Sequence, residues 1–542
     1  MYRESVKMKL FRRGLDRLNA EKSLLFLLLV SLAIKVTLLF SGDVINKDGV
    51  RYIEAARQFS QGNFLEALRI DWMPFYSLLI SGLHFLIQDW VLAGQLISLF
   101  SMVFALVPLY LLTRDIFDDK VAFWTGLAFS LSPMFNDHAD GLLRDPIFLF
   151  FVAWSVFFCW RALQTKRTIF FILASISAIL ALFCRLEGIL LWGVYLSVLA
   201  VLSIKKRSER RLWLKGGAIL VGLPLALGLL LGSGMTLAAR KTGITSIGPS
   251  GELHREVKEV VSENSLAYYK RKFKLLGLEN YHSRYKKLKE LQNAIPGWDQ
   301  QGSLVVTTRH YIPIIYLLSV VDAMGKNLFP VYILPLLLGF SKHPARNRGH
   351  WLVLVAVGTY FLMAYYFVFI RDGIPKRYVL VPPLFLYPWV GRGLEEIRAK
   401  IAECRWRRTA LVFFILLFCG LPVYSSLKDF CDSAKGNAIR VAGKWLAEQP
   451  DLQNTLIACS DNRVRFYTSP ELKFLKKMEA VSVARNYKRM ESVALKGNAD
   501  FLVIRASKKN RQRIPEYKHF SLLKEFMGVK YDVLIYRRNN KV

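Results

Sequence analysis

Residues 137–160 read Asp137-His-Ala-Asp140-Gly-Leu-Leu-Arg144-Asp145-Pro146-Ile-Phe-Leu-Phe-Phe-Val-Ala-Trp-Ser-Val-Phe-Phe-Cys159-Trp160. A charged loop passes directly into an unbroken apolar run. Proline suits the first helical turn, where its missing N–H is not needed. Asp145 therefore reads as the N-cap of a membrane-spanning helix, with its carboxylate turned back toward the loop. Runs of comparable length recur at 22–41, 91–112, 121–136, 168–184, 188–203, 215–234, 326–340, 351–370, 377–392 and 409–427. Two shorter, interrupted runs at 73–88 and 311–325 read as interfacial helices. The composition agrees: 53% of the 542 residues are hydrophobic and the mean hydropathy is +0.28. The fold class is an α-helical polytopic membrane protein.

Charge orients it. The N-terminal segment carries Lys7, Lys9, Arg12, Arg13 and Arg17 and reads as cytoplasmic. If neither short run crosses, Lys166–Arg167, Lys205–Arg207 with Arg210–Arg211, Lys342 with Arg346 and Arg348, and Arg405 with Arg407–Arg408 also lie inside. If 73–88 alone crossed, those clusters would lie outside, against the positive-inside rule. About eleven transmembrane helices follow, with the N-terminus in and the C-terminus out. Residues 1–427 form the membrane domain, with outer loops 42–72 and 235–312, and 428–542 form an extracytoplasmic α/β domain. In that tail 437–449 reads as helix, and 455–459, 500–505 and 531–537 as strands. Cys431 and Cys459 share that side and are candidates for pairing, which spacing does not decide. The formal charge of +34 fits cytoplasmic basic loops and lipid phosphates, and no nucleic-acid motif accompanies it. No removable signal peptide is read at the start: the first run lacks a small-residue cleavage site. Lys35, late in that run, is expected to snorkel outward.

Charges at the outer face carry the chemistry. The first loop reads Asp43-Val-Ile-Asn-Lys-Asp48-Gly-Val-Arg51-Tyr52-Ile-Glu54-Ala-Ala-Arg57, with a helix starting near Asp48 as its cap. Arg185-Leu-Glu187-Gly188 separates two apolar runs, and its charges can pair with each other at the surface. Arg371-Asp-Gly-Ile-Pro-Lys376-Arg377-Tyr378 separates two more. The large loop holds Tyr268-Tyr-Lys-Arg-Lys-Phe-Lys274 and Tyr285-Lys-Lys-Leu-Lys289, suited to anionic headgroups or to a solvated basic face. Ionisable groups at membrane depth are costly and tend to be functional. Carboxylates and guanidinium groups on one face suit transfer from a lipid phosphate: a base takes the acceptor proton, and cations hold the departing phosphate.

These motifs together resemble the GT-C glycosyltransferase superfamily, in the branch of protein O-mannosyltransferases and lipid A aminoarabinose transferases. The resemblance rests on Asp48-Gly-Val-Arg-Tyr52-Ile-Glu-Ala-Ala-Arg57, Asp71-Trp-Met-Pro74-Phe-Tyr76, Asp145-Pro146, Arg185-Leu-Glu187-Gly188, and Arg377-Tyr378 before Pro382-Pro383. It implies a GT-C fold with juxtamembrane helices at the two short runs. It implies a polyprenyl-phosphate-linked sugar donor and a lipid-glycan or protein acceptor in a bacterial inner membrane. Asp48 and Asp145 become the expected catalytic carboxylates. Arg57, Arg185, Arg371, Lys376 and Arg377 become donor-phosphate ligands, and Tyr52 and Glu187 substrate contacts. Gly49 stands where many members carry a second acidic residue, leaving Asp43 as a weaker substitute. Some relatives hold a structural metal with an acidic residue near the first-loop proline helix and a histidine of the large loop, here Asp71 and His254. The transferases themselves look metal-independent, so neither a metal nor a cofactor is expected. A flippase of lipid-linked sugars is the alternative, against which stands the absence of midplane polar groups and of inverted repeats. A non-catalytic partner of the same fold is the other, against which stands the retention of Asp48 and Asp145.

Overall fold

The computed structural model describes residues 2–40, 45–71, 73–242, 302–342, 348–371, 376–433, 438–449, 452, 455–468, 472–475, 487–528 and 531–539. The large loop, including His254 and the two aromatic-basic segments, lies outside the described residues, as does Asp43.

The membrane part is helical. Its elements are α1 (Tyr2–Leu39), α2 (Lys47–Ser60), α3 (Phe64–Ile70), α4 (Phe75–Ile87), α5 (Trp90–Ile116), α6 (Asp119–Leu131), α7 (Pro133–Ala139), α8 (Asp145–Thr165), α9 (Thr168–Cys184), α10 (Leu190–Lys205), α11 (Arg210–Thr242), α12 (Gly302–Leu328), α13 (Ile333–Lys342), α14 (Arg348–Arg371), α15 (Val381–Glu403), α16 (Arg407–Ile415) and α17 (Leu421–Ser433). Among the described residues, seven helices are long and apolar enough to cross a membrane, or eight if one bent pair counts as a span. This is a multi-pass membrane protein. The remaining runs read as spans differ for physical reasons. The run 121–136 breaks at Ser132–Pro133, because proline starts a new helix there, and α6 keeps 13 residues. α9 has 17 residues. α15 is long but carries Arg392, Glu395, Glu396 and Arg398. The run 311–325 is not a separate interfacial helix: α12 continues through it to Leu328. Phe329 then takes φ +72° before Pro330, and the chain turns by 96°. α4, the other short run, has 13 residues and rises only about 20 Å, less than the hydrocarbon thickness.

A single apolar cluster runs through this bundle, from Leu27 on α1 through Met102, Phe129, Val152 and Tyr195 to Phe385 and Phe418. A polar knot around Lys35 interrupts it. Lys35 is fully buried and donates to Ser31 Oγ at 3.0 Å and to Asn136 Oδ1 at 2.9 Å, while Asn136 Nδ2 donates to Ser426 Oγ at 3.3 Å. Lys35 therefore does not snorkel. Its amine finds acceptors inside the bundle and ties α1, α7 and α17 together.

The tail adds α18 (Ala438–Glu448), β1 (Leu456–Cys459), α19 (Asn462–Phe466), β2 (Lys473–Phe474), α20 (Tyr487–Lys496), β3 (Phe501–Ser507), β4 (Phe520–Phe526) and β5 (Tyr531–Arg538). The sheet order is β2-β1-β3-β5-β4, with β1 parallel to β2 and β3, and β5 antiparallel to β3 and β4. Alternation along the central strands packs both faces. Phe501, Val503, Val533 and Ile535 join Ile439, Ala442 and Leu446 of α18. Leu502, Ile504, Leu534 and Tyr536 join Tyr487, Met490 and Ala494 of α20. Cys459 is buried and its Sγ lies 3.2 Å from the Asp461 carbonyl oxygen; the side chain of Cys431 lies outside the described residues.

A candidate active site at one end of the helix bundle

The N-terminus of α2 supplies the first carboxylate. Asn46, not Asp48, caps this helix: its Oδ1 accepts from Gly49 N–H at 2.8 Å. Asp48 sits in the first turn, freed from capping, and accepts from Arg377 Nη1 at 2.5 Å. Arg377 stands on a 3₁₀ turn, Lys376–Val379, that leads into α15. Both side chains remain partly exposed, at 38% for Arg377 and 33% for Asp48. Burial opposes the Arg377 charge, but the hydrogen bond and charge of Asp48 outweigh it and raise its pKa.

A second, buried set lies beside the first. Arg144, not Asp145, stands at the N-cap of α8; Asp145 is its first residue, and its carboxylate is ion-paired with Arg185. Arg185 also donates from Nη2 to Glu187 Oε1 at 2.5 Å. Its guanidinium lies 4.9 Å from the Tyr378 ring centroid, and Arg377 approaches the same ring at 5.6 Å. Tyr378 thus joins the exposed pair to the buried one. The Arg185–Glu187 pair is not a surface contact, since the Arg185 side chain is only 7% exposed. Tyr360 Oη holds the turn by donating to the Glu187 carbonyl at 3.0 Å.

A third set forms the floor. Asp71, 1% exposed, accepts from Ser77 Oγ at 2.9 Å and faces Arg144 Nη1 at 3.6 Å. Burial pushes the Asp71 carboxyl up, and Arg144 and Ser77 offset this in part. Arg144 lies over the Tyr52 ring at 5.7 Å, and Tyr52 packs edge-on against Tyr76 at 5.3 Å. His138, whose Nδ1 is 2.9 Å from the Met134 carbonyl, is pushed below the usual imidazole range by burial, against the Asp145 charge.

Residues 71–231 match the family model described as dolichyl-phosphate-mannose-protein mannosyltransferase. No curated protein sequence matches. Among solved structures, ArnT from Cupriavidus metallidurans, bound to undecaprenyl phosphate, superposes with a TM-score of 0.52 at 12% identity, covering 94% of this chain and 97% of that one. The apo oligosaccharyltransferase of Archaeoglobus fulgidus gives 0.55 at 12% identity, covering 96% and 74%. AglB from Archaeoglobus fulgidus, in complex with an inhibitory peptide and a dolichol-phosphate, gives 0.52 at 14% identity over 89% and 69%. The chain has the fold of these GT-C structures.

Within this fold the sequence-read residues divide. Asp48, Asp145, Arg185, Glu187 and Arg377 converge. Lys376 is exposed beside them, and its carbonyl accepts from Asn327 Nδ2 at 2.8 Å. Tyr52 is a wall residue, 2% exposed. Arg57 lies nine residues beyond Asp48 on α2, about 13 Å along the axis. It lines a separate cleft of about 440 Å³ between α2 and the tail domain, with Arg51, Glu54, Asn462 and Arg465. Tyr467 of the tail closes one side of that junction, its Oη accepting from Ile45 N–H at 3.0 Å. Arg371 ends α14, and its side chain lies outside the described residues. Gly49 is enclosed: a Cβ there would stand 2.8 Å from side-chain carbons of both Ile45 and Leu142, which would have to shift to admit an acidic side chain. Among the described residues no three His, Cys, Asp or Glu side chains form a metal-binding group. Sequence reasoning gave Arg144 and His138 no role. Their signal was weak, because the charge-to-apolar boundary at 137–146 draws attention to Asp145 alone.

Proposed function

We propose that this glycosyltransferase moves a sugar from a polyprenyl phosphate to a lipid-glycan or protein acceptor at the extracytoplasmic face of a bacterial inner membrane. The observation that carries the reading is the half-exposed Asp48–Arg377 pair. It is a reachable carboxylate and a reachable cation in contact, beside a buried set that fixes them. Asp48 accepts the acceptor's proton as the acceptor oxygen bonds to the anomeric carbon. The bond from that carbon to the phosphate oxygen breaks, and the polyprenyl phosphate leaves with the electron pair. Arg377 and Lys376, with Arg371, hold the charge that gathers on this phosphate. Donor binding thereby draws Arg377 away from Asp48 and frees the carboxylate for the acceptor hydroxyl. Asp145, Arg185 and Glu187 position Tyr378 and the 3₁₀ turn, and Asp145 adds negative potential near the developing oxocarbenium-like centre. Arg57 serves the part of a substrate that lies in the tail-domain cleft. The outward orientation rests on the basic N-terminal segment and loops, which the positive-inside rule assigns to the cytoplasm.

The test is Asp48→Asn, expressed in a deletion strain, with mass spectrometry of surface glycolipids and glycoproteins. General-base assistance is typically worth about 10²–10⁴-fold. The modification lost on deletion should stay lost with Asp48→Asn while the protein still inserts. Because Asn46 is the cap, Asp48→Ala should insert equally well. Wild-type modification by inserted Asp48→Asn would sink the assignment.

A further inference from the structure

The opposite end of the bundle carries a second set of features that sugar transfer does not use. α10 starts one turn beyond Glu187 and rises about 22 Å over its length, which carries Lys205 to the far membrane surface. Two grooves flank its last two turns. One, of about 720 Å³, runs between α10 and α11 and is lined by Leu199, Ala200, Ser203, Arg207, Arg210 and Trp213. The other, of about 470 Å³, runs between α10 and α14 and is lined by Val198, Val201, Lys205, Lys206, Trp351 and Val355. Each groove is apolar along its depth and cationic at its mouth. Lys205, Arg207 and Arg210 are exposed. Glu209, the acidic residue beside this mouth, is ion-paired with Lys166 at 2.6 Å, and the cations around it outnumber it. Trp213 is 1% exposed, and its indole N–H has no acceptor among the described residues. Trp351, 60% exposed, stands at the rim of the second groove, where an interfacial tryptophan belongs.

We propose that these grooves form a binding site for an anionic glycerophospholipid of the leaflet opposite the catalytic cluster. Its two acyl chains straddle α10, one in each groove. Its phosphate lies among Lys205, Lys206, Arg207 and Arg210, and a glycerol-ester oxygen accepts the Trp213 N–H. Charge complementarity selects the occupant: basic pockets between spans bind anionic headgroups, whereas a zwitterionic lipid adds a cation of its own to a cationic mouth.

The experiment uses the full chain in detergent with phosphatidylglycerol or phosphatidylcholine as probe, and counts retained lipid by native mass spectrometry. Wild-type protein should retain phosphatidylglycerol in preference. Each cation near the headgroup contributes roughly a factor of five. Lys205→Gln/Arg207→Gln/Arg210→Gln together should therefore weaken retention by about 100-fold, and the corresponding Lys205→Arg variant should keep it. A wild-type arm avoids dependence on folding of the triple variant: raising salt tenfold must weaken phosphatidylglycerol binding and leave phosphatidylcholine unchanged. Equal retention of the two lipids, or salt-insensitive phosphatidylglycerol binding, overturns the site.

Discussion

Arg377 and Arg185 bear the same charge in different surroundings, 38% and 7% exposed. The difference separates binding from folding. Arg377→Ala removes a half-exposed pair, so stability should change by less than about 1 kcal/mol. Donor use should fall by about 1.5–3 kcal/mol, the loss of one charged hydrogen bond. Arg185→Ala strands Asp145 in the interior, which costs about 3–5 kcal/mol. Thermal unfolding in detergent of both variants, set beside transfer in membranes, checks this; equal destabilisation would show that the pairs are not distinct. The carboxylates and guanidinium groups were legible in the sequence because charge beside an apolar run is conspicuous. Their partners were not. Capping is a local relation and suggested itself for Asp48 and Asp145, whereas their real partners lie 329 and 40 residues away. Lys35 misled for the same reason: its acceptor Asn136 lies 101 residues on, and hydropathy says nothing of it.

At the scale of elements, the turn between α9 and α10 explains why a glycine follows Glu187. A Cβ on Gly188 would lie 2.7 Å from Leu182 Cα, a backbone atom that does not yield. Gly188→Ala should shift the Arg185–Glu187 turn and destabilise by about 1–3 kcal/mol, with a parallel loss of transfer. Limited proteolysis and a transfer assay on the same sample would read both; a stable and fully active variant would mean that the turn tolerates displacement. The helices themselves were largely readable from apolar length. The breaks were less so. Pro133 and Pro330 announce a stop, but whether proline ends a span or begins a new helix depends on what the freed backbone meets, and that is tertiary.

In the whole molecule, the tail domain rests against α2. Asp461, fully buried, caps α19 and is bonded by Arg463 at 2.9 Å and Arg505 at 2.9 Å. Burial alone would raise its carboxyl, yet these guanidinium groups hold it below the usual carboxylate range. A depressed carboxyl contributes stability above its ordinary pKa and loses it as pH falls through the lowered value. The tail should therefore loosen below about pH 4. Protease sensitivity of residues 438–539 in the intact protein should rise there, and Asp461→Asn should show the looser state already at pH 7. A wild-type tail equally resistant at pH 3 and pH 7 would refute this. The central strands of this domain were legible as short apolar runs. β2 and β4 were not, because one has two residues and the other exposes most of its side chains.

The distance along the chain between Asp48 and Arg377 has a consequence for biogenesis. A ribosome adding 5–20 residues per second needs roughly 16–66 s to pass from one to the other. Throughout that interval Asp48 has been made and its long-range partner has not. On the proposed role of the pair, a chain terminated before Arg377 should insert but transfer no sugar. The proposed site is thus completed late in synthesis, when the turn before α15 emerges and docks against a helix laid down near the beginning.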